Sequence, residues 1–170
     1  SNGTLLSRAK AESLVATGLP YVAISVDGAT KEMYESIRVR GRFETLLDNL
    51  RGLAAAKQEM QRVTPSLQFN FVLMDNTLDE ALLFIELMSQ FNPHKFVFIH
   101  QDYVPPADDR RAKVESVLRA ALAQCIQRRV LFEEVPGFCL TMNEIAQAYC
   151  CQTTVAPEVA PYCGDPWHFM

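Results

Sequence analysis

Short apolar runs that each end in polar residues divide this chain, and amphipathic stretches lie between them. The clearest run is Tyr21–Gly28, which is rich in β-branched residues and closes with Asp-Gly, so it predicts a strand that leads into a loop. Further runs at Leu67–Met74, Lys95–Val104 and Val130–Val135 predict three more strands, the last of them short.

Apolar residues recur at helical spacing before, between and after these runs. The predicted helices are Leu5–Val15, Lys31–Gly41, Phe43–Ala54, Leu78–Met88, Val114–Ile126 and a short one from Thr141 to about Tyr149. Thr30 is a suitable cap for the helix that begins at Lys31. Thr77 with Glu80, and Thr141 with Glu144, each match a capping box, in which two side chains satisfy free N–H groups at a helix start.

The alternation of strands and helices predicts the fold class. It is typical of parallel strands joined by right-handed crossovers, so we expect an α/β fold with three to four parallel strands and helices packed outside. No Gly-x-Gly-x-x-Gly follows a predicted strand, and no Gly-x-x-x-x-Gly-Lys-Ser/Thr occurs. A dinucleotide or P-loop nucleotide site is therefore not predicted.

Composition narrows the class of protein. The chain has 170 residues, enough for one domain or one domain with a short extension, and its net charge of −4 argues against nucleic-acid binding. No apolar stretch has the length of a membrane span, and no signal peptide is evident, so we expect a cytoplasmic protein without a membrane partner. Five cysteines, an odd number, argue against a disulfide framework.

Candidate chemistry lies at the end of the first predicted strand. Alternation along a strand places Ser25 and Asp27 on one face, at the carboxyl end where parallel α/β folds build their sites. A hydroxyl and a carboxylate there suit the hydroxyl groups of a ribose, since both accept hydrogen bonds. The alternative is that Asp27 belongs to a plain turn and that Ser25 is a small residue of the core.

Five motifs, in order and spacing, resemble those of radical S-adenosylmethionine (radical SAM) enzymes. The family patterns are Thr-Asn-Gly-x-Leu-Leu, Ser-x-Asp-Gly, Tyr-x-x-Ile-Arg, Asn-x-x-x-Glu and Cys-x-x-Pro-Trp. The matching segments here are Ser1-Asn2-Gly3-Thr4-Leu5-Leu6, Ser25-Val26-Asp27-Gly28, Tyr34-Glu35-Ser36-Ile37-Arg38, Asn76 with Glu80, and Cys163-Gly164-Asp165-Pro166-Trp167. The first segment departs from its pattern at Ser1. The resemblance covers residues 1 to about 104 and the last eight.

The resemblance implies a fold and a reaction. Residues 1–135 would be the C-terminal part of a partial (β/α) barrel, and residues 136–170 a linker helix and the start of an auxiliary-cluster extension of the SPASM or twitch type. The family cleaves S-adenosylmethionine reductively at a 4Fe-4S cluster, which begins radical chemistry on a small-molecule or peptide substrate. The Cys-x-x-x-Cys-x-x-Cys motif that holds this cluster is absent from the chain and would lie upstream of Ser1.

This chain alone is accordingly expected to be inactive and to bind no cofactor. The alternative to an enzyme fragment is a non-enzymatic α/β binding or scaffold module that never held a cluster.

The resemblance also assigns site residues. The expected contacts with the ribose, methionine and carboxylate parts of the cofactor are Ser25, Asp27, Arg38, Asn2, Gly3 and Asn70. Each has a simpler alternative: a solvated loop arginine for Arg38, a plain turn for Asn2 and Gly3, and a core asparagine bonded to backbone for Asn70. Guanidinium groups suit carboxylates because they bind them bidentately, which is the reason for including Arg38.

Other candidates lie further along the chain. His100 and Asp102, at the end of the third predicted strand, are suited to acid–base work. The resemblance makes Cys163 a ligand of an auxiliary iron–sulfur cluster. A zinc site at Cys150, Cys151, Cys163 and His168 is the alternative, although their spacing is poor for zinc. Free thiols are expected in this chain.

A partial barrel leaves one edge and one face of its sheet open. The predicted edge is the Tyr21 strand, and Ala23, Val72, Met74, Val97 or Ile99 is expected to meet water. Open edges and apolar faces recruit partners, so self-association of the chain is expected.

Overall fold

The structure, a computed structural model, describes residues 1–101 and 106–152. The helices are α1 (Arg8–Ala16), α2 (Lys31–Ile37), α3 (Phe43–Glu59), α4 (Ala81–Ser89), α5 (Asp108–Gln127) and α6 (Met142–Gln152). The strands are β1 (Tyr21–Ser25), β2 (Ser66–Leu73), β3 (Lys95–His100) and β4 (Leu131–Val135). A short 3-10 turn, Leu78–Glu80, precedes α4.

The four strands form one parallel sheet in the order β1-β2-β3-β4. This confirms the predicted α/β class, with parallel strands and helices around them. Each strand lies beside its predecessor in the chain, as in a (β/α) barrel, and the described sheet contains no reversal of strand order. The carboxyl ends of all four strands therefore lie along one edge.

Helices cover one face of the sheet. Alternate residues of β2 are buried, and its inward phenylalanines contact those of β3 and Phe84 of α4. The Phe71 and Phe84 ring centroids lie 4.7 Å apart, and those of Phe84 and Phe96 lie 5.4 Å apart. Burial of each such side chain contributes roughly 1.5–3 kcal/mol. This aromatic layer fixes which residues face the opposite, uncovered side.

The uncovered face of the sheet is mixed in character. It includes Ala23, Ser25, Gln68, Asn70, Val72, Lys95, Val97, Ile99 and Glu133. Most are half-buried, but Val97 is only 4% exposed, so among the candidates for contact with water it is the one that the structure buries. The register places Val97 between Asn70 and Glu133 in the middle of the sheet, where neighbouring side chains shield it.

Residue Ser1 adds to the edge of β1. The Ser25 N–H donates to the Ser1 carbonyl over 2.8 Å, and the Ser1 amino group donates to the Ala23 carbonyl over 3.0 Å. Ser1 thus bonds to Ala23 and Ser25, the two neighbours of Ile24, which is the hydrogen-bond pattern of parallel strands. The outer edge of β1 therefore pairs with extended backbone at its carboxyl end.

The first predicted capping box is wrong. The Thr77 hydroxyl accepts a hydrogen bond from the Met74 N–H over 2.9 Å and caps no helix, while the Glu80 carboxylate contacts the distant N–H of Ala29. Thr77 instead bridges the turn between β2 and the 3-10 segment. The second box is confirmed: the Thr141 N–H donates to Glu144 over 2.7 Å, and the Glu144 N–H donates back to the Thr141 hydroxyl over 3.2 Å.

Residues after β4 pack against the domain as far as they are described. The Tyr149 hydroxyl on α6 donates to the Val130 carbonyl over 2.6 Å, and Arg119 of α5 pairs with Glu144. The remainder of the predicted extension, including Cys163, lies outside the described residues. Within the described part of the chain, no helix combines the length and the apolar character that a membrane span requires.

Candidate functional site

The turn at Asn2 and Gly3 is fixed beside the end of β1. Asn2 Oδ1 accepts hydrogen bonds from the Thr4 N–H and hydroxyl, over 3.2 and 2.8 Å, and Asn49 Nδ2 of α3 donates to the Gly3 carbonyl over 2.9 Å. Gly3 has φ +70°, and a Cβ there would lie 2.6 Å from Leu46 Cδ1. Only glycine suits both the backbone conformation and the space, so the turn is held in one shape.

Asp27 and Arg38 form an ion pair at the same end of the sheet. Arg38 follows α2 immediately, and its Nη2 donates to Asp27 Oδ2. The Asp27 side chain is 5% exposed and that of Arg38 is 31% exposed, so the pair is largely shielded from water. The expected partner of Arg38 was a carboxylate of the cofactor, whereas its partner within the chain is Asp27.

Three polar atoms around this ion pair are buried and unpartnered among the described residues. They are Asp27 Oδ1, Arg38 Nε and the Tyr34 hydroxyl. Burial raises the pKa of Tyr34, Arg38 opposes that rise and Asp27 adds to it, so the hydroxyl stays protonated. Buried polar groups are normally hydrogen-bonded, so three unpartnered atoms in one place could form hydrogen bonds with a ligand.

Ser25 and Asn70 are neighbours on the uncovered face. The sheet register pairs them directly, and both are half-buried. The Ser25 hydroxyl makes no hydrogen bond to any described residue, while Asn70 Oδ1 accepts one from Gln68 Nε2 over 2.8 Å. Both side chains therefore lie on the face of the sheet that the described helices leave uncovered.

The loop between β1 and α2 depends on Glu80, for which the sequence predicts a different role, as part of a capping box with Thr77. Glu80 accepts from the Ala29 N–H over 2.6 Å and from the Thr30 N–H and hydroxyl over 3.2 and 2.5 Å. Gly28 allows this loop to close, since a Cβ there would lie 2.6 Å from the Tyr34 nitrogen. The carboxylate thus stabilises the start of α2, whose far end carries Arg38.

A second polar cluster lies on the helix-covered face. His100 Nε2 and Glu134 Oε1 are 2.7 Å apart, and both residues are buried, at 5% and 4% exposure. Glu134 also accepts the N–H groups of Phe138, Cys139 and Leu140 over 3.0, 2.9 and 2.8 Å. Three of these four donors meet Oε1 and one meets Oε2, and three of them belong to the segment after β4, so the carboxylate anchors that loop.

Ionisation in this second cluster follows from its contacts. Burial raises the pKa of Glu134, but the hydrogen bonds from His100 and from the Cys139 and Leu140 N–H groups outweigh burial, and the pKa is lowered overall. Burial and the nearby Glu134 charge raise the pKa of Cys139 to about 11, so the thiol is protonated at neutral pH.

His100, Glu134 and Cys139 offer ligand atoms within 4.8 Å of one another. A metal ion would compete with the hydrogen bonds to Glu134, and it would also have to displace the proton of the Cys139 thiol. The group therefore fits a loop anchor better than a metal site.

The structure brings most of the predicted site residues to one end of the sheet. Ser25 is the last residue of β1, Asn2 and Gly3 lie on the turn beside it, and Asp27 follows two residues later and pairs with Arg38. Asn70 lies beside Ser25. His100 faces the covered side instead, away from this group, while Asp102 and Cys163 lie outside the described residues.

The sequence did not predict the roles of two side chains, Glu134 and Glu80. The role of Glu134 could have been inferred from the sequence. It alternates with Phe132 along a predicted strand, which places its carboxylate on the buried face, and buried carboxylates require partners. Glu80 lies in the segment that resembles Asn-x-x-x-Glu, but its partners could not be read from the sequence because they lie about fifty residues away.

Comparison with known proteins adds no assignment. No protein-family model matches the chain, and no curated protein matches it.

Proposed function

We propose that this chain forms one wall of the S-adenosylmethionine site of a radical SAM enzyme, in which upstream residues hold the 4Fe-4S cluster. The observation that carries the proposal is the convergence of Asn2, Ser25, Asp27 and Arg38 at the carboxyl end of β1. The consecutive parallel strand order is compatible with part of a (β/α) barrel, where sites lie at that end of the strands.

The residues present fit the ribose of the cofactor. The Ser25 hydroxyl has no partner within the described chain, and Asp27 Oδ1 is buried without one. Both atoms accept hydrogen bonds, which is what two ribose hydroxyls offer. Arg38 donates to Asp27 Oδ2, which fixes the carboxylate and leaves Oδ1 available as an acceptor. In this assignment Arg38 is a positioning residue.

The remaining assigned residues complete the wall. Asn2 and Gly3 would border the cofactor through the turn beside β1, and Asn70 would line the interior beside Ser25. Cofactor sites work by enclosing their ligand, and a wall alone encloses little. The chain by itself is therefore expected to bind S-adenosylmethionine no better than millimolar, about −4 kcal/mol. Reductive cleavage of the cofactor is the chemistry that the cluster would supply.

A non-enzymatic binding or scaffold module is the second candidate. It is favoured by the Asp27–Arg38 pair, which already satisfies one carboxylate oxygen within the chain. In that case the end of β1 is a buried structural ion pair that contacts no ligand.

One experiment separates the two candidates. The longer protein that contains this chain would be loaded anaerobically with iron and sulfide, reduced with dithionite and assayed for 5′-deoxyadenosine by mass spectrometry. Formation of 5′-deoxyadenosine that depends on both the reductant and the cofactor is expected. A protein that lacks Cys-x-x-x-Cys-x-x-Cys upstream, or one with a reduced cluster and no product, would favour the scaffold module.

A further inference from the structure

A groove of about 500 Å³ opens beside the Asp27–Arg38 pair. We define the Arg40 groove by its polar lining, which consists of Asn2, Thr4, Tyr34, Arg38 and Arg40. Neither Ser25 nor Asn70 lines it. Its volume lies within the range of small-molecule sites.

The charge in the Arg40 groove is positive and only partly neutralised. Two arginines line it, and none of its described lining residues is acidic. Asp27 neutralises Arg38, whereas Arg40 makes no ion pair or hydrogen bond with the described residues. The groove therefore retains one free guanidinium, which favours an anion.

Buried polar atoms supply a second, independent indication. The Tyr34 hydroxyl is fully buried and unpartnered among the described residues, and Arg38 Nε is likewise buried without an acceptor. Both belong to residues that line the groove. Each can donate a hydrogen bond to an oxyanion, and hydrogen bonds between a guanidinium and an oxyanion are among the strongest in proteins.

The backbone at Arg40 is held in a costly conformation. Its φ is +64°, a region that non-glycine residues seldom adopt. The Gly41 N–H donates to the Arg38 carbonyl over 2.7 Å, which closes a tight turn around Arg40. This turn fixes the point from which the Arg40 side chain extends into the groove.

Apolar side chains determine the rest of the ligand. Leu5 is 75% exposed and Val39 is 86% exposed, and both line the groove. We propose that the Arg40 groove binds a small organic anion whose carboxylate or phosphate group contacts Arg40, Arg38 Nε and the Tyr34 hydroxyl, while its apolar body covers Leu5 and Val39. Asn2 and Arg38 belong to both sites, but Arg40, Leu5 and Val39 have no part in the assigned cofactor contacts, so this inference does not depend on the proposed function.

The test is a titration of the 15N-labelled 170-residue chain, followed by NMR at constant ionic strength. The probes are hexanoate, hexyl phosphate and the neutral hexanamide. We expect hexanoate or hexyl phosphate to shift the amide signals of residues 38–41. Hexanamide should bind at least about tenfold more weakly, because it lacks one charged hydrogen bond. The tighter of the two anions assigns the head group as carboxylate or phosphate.

Matched variants complete the test. Arg40→Gln and Arg40→Gly should each weaken anion binding about tenfold, and the glycine variant also relieves the positive φ, so it keeps the turn. Arg129→Gln is the control, because Arg129 is exposed, has φ +57° and makes no ion pair with the described residues. Equal binding of anion and amide, equal loss in the Arg129 variant, or shifts spread over unrelated basic residues would overturn the proposal.

Discussion

Replacing Glu134 by glutamine should destabilise the fold far more than an isosteric change normally does. Glu134 accepts hydrogen bonds from His100 and from three consecutive backbone N–H groups. Three of the four donors meet Oε1, so the glutamine oxygen would take that place and its NH2 would face the Leu140 N–H. Two buried donors would then oppose each other without an acceptor.

The magnitude follows from those contacts. A hydrogen bond to a charged group contributes about 1.5–3 kcal/mol, and a buried donor left unsatisfied costs about 1–3 kcal/mol. We therefore expect Glu134→Gln to lower the free energy of unfolding by roughly 3 kcal/mol, a large part of the 5–15 kcal/mol typical of a domain. Urea unfolding followed by circular dichroism measures this difference.

Glu133→Gln is the matched control. The neighbouring carboxylate is half-exposed, and among the described residues it pairs only with Lys95, at 2.8 Å. Pairs of this kind contribute about 0.2–1 kcal/mol, so this variant should unfold close to wild type. Equal and small effects of the two substitutions would refute the view that Glu134 anchors the loop after β4.

The stability difference between wild type and Glu134→Gln should depend on pH. The pKa of Glu134 in the folded protein lies below its ordinary value of 4.5, since hydrogen bonds outweigh burial. A lowered folded pKa means that the stabilisation is present above the unfolded pKa and is lost as pH falls through the folded value. Wild type and Glu134→Gln should therefore differ fully at pH 6 and converge progressively below about pH 4.5. A constant difference down to pH 3 would contradict this.

The remaining predictions concern the turn, the open face and the cysteines. Gly3→Ala should destabilise the fold by about 1–3 kcal/mol in thermal melts, because it combines φ +70° with a clash at 2.6 Å, whereas Gly52→Ala in α3, with 4.0 Å of room, should stabilise it by about 0.5–1 kcal/mol. Light scattering should show self-association at micromolar concentration through the β1 edge, where Tyr21 is 58% exposed; a monomer throughout the range would count against it. Metal analysis of the purified chain should find neither iron nor zinc at one per chain, and a stoichiometric ion would revive the zinc alternative that includes Cys163.

The periodicity of the sequence was sufficient to predict the fold class. Strand and helix patterns are local, and the alternation of buried and half-buried residues along Ser66–Leu73 follows directly from the sequence. The end of β1 was placed too late, because only Val26 continues the pairing, with Asn70, while Asp27 turns toward Arg38.

Side-chain partners across the fold could not be predicted in this way. Thr77 and Glu80 match a capping box locally, yet Glu80 finds stronger donors at Ala29 and Thr30 once α4 packs beside the β1 loop. The pairing of Arg38 with Asp27 likewise depends on how α2 ends. Local sequence shows which groups need partners, and tertiary packing decides which partners they obtain.

The most direct test of the central claim is the affinity of the cluster-loaded longer protein for S-adenosylmethionine, measured by anaerobic calorimetry. Ser25→Ala should weaken binding by about 0.5–1.5 kcal/mol, and Asp27→Asn by up to about 3 kcal/mol, because a charged acceptor is lost. Ser66→Ala, on the same sheet face at the opposite end of β2, should bind as wild type does. If the Ser25 and Asp27 variants also bind as wild type, with circular dichroism showing intact folds, the end of β1 is only a structural turn and the claim is wrong.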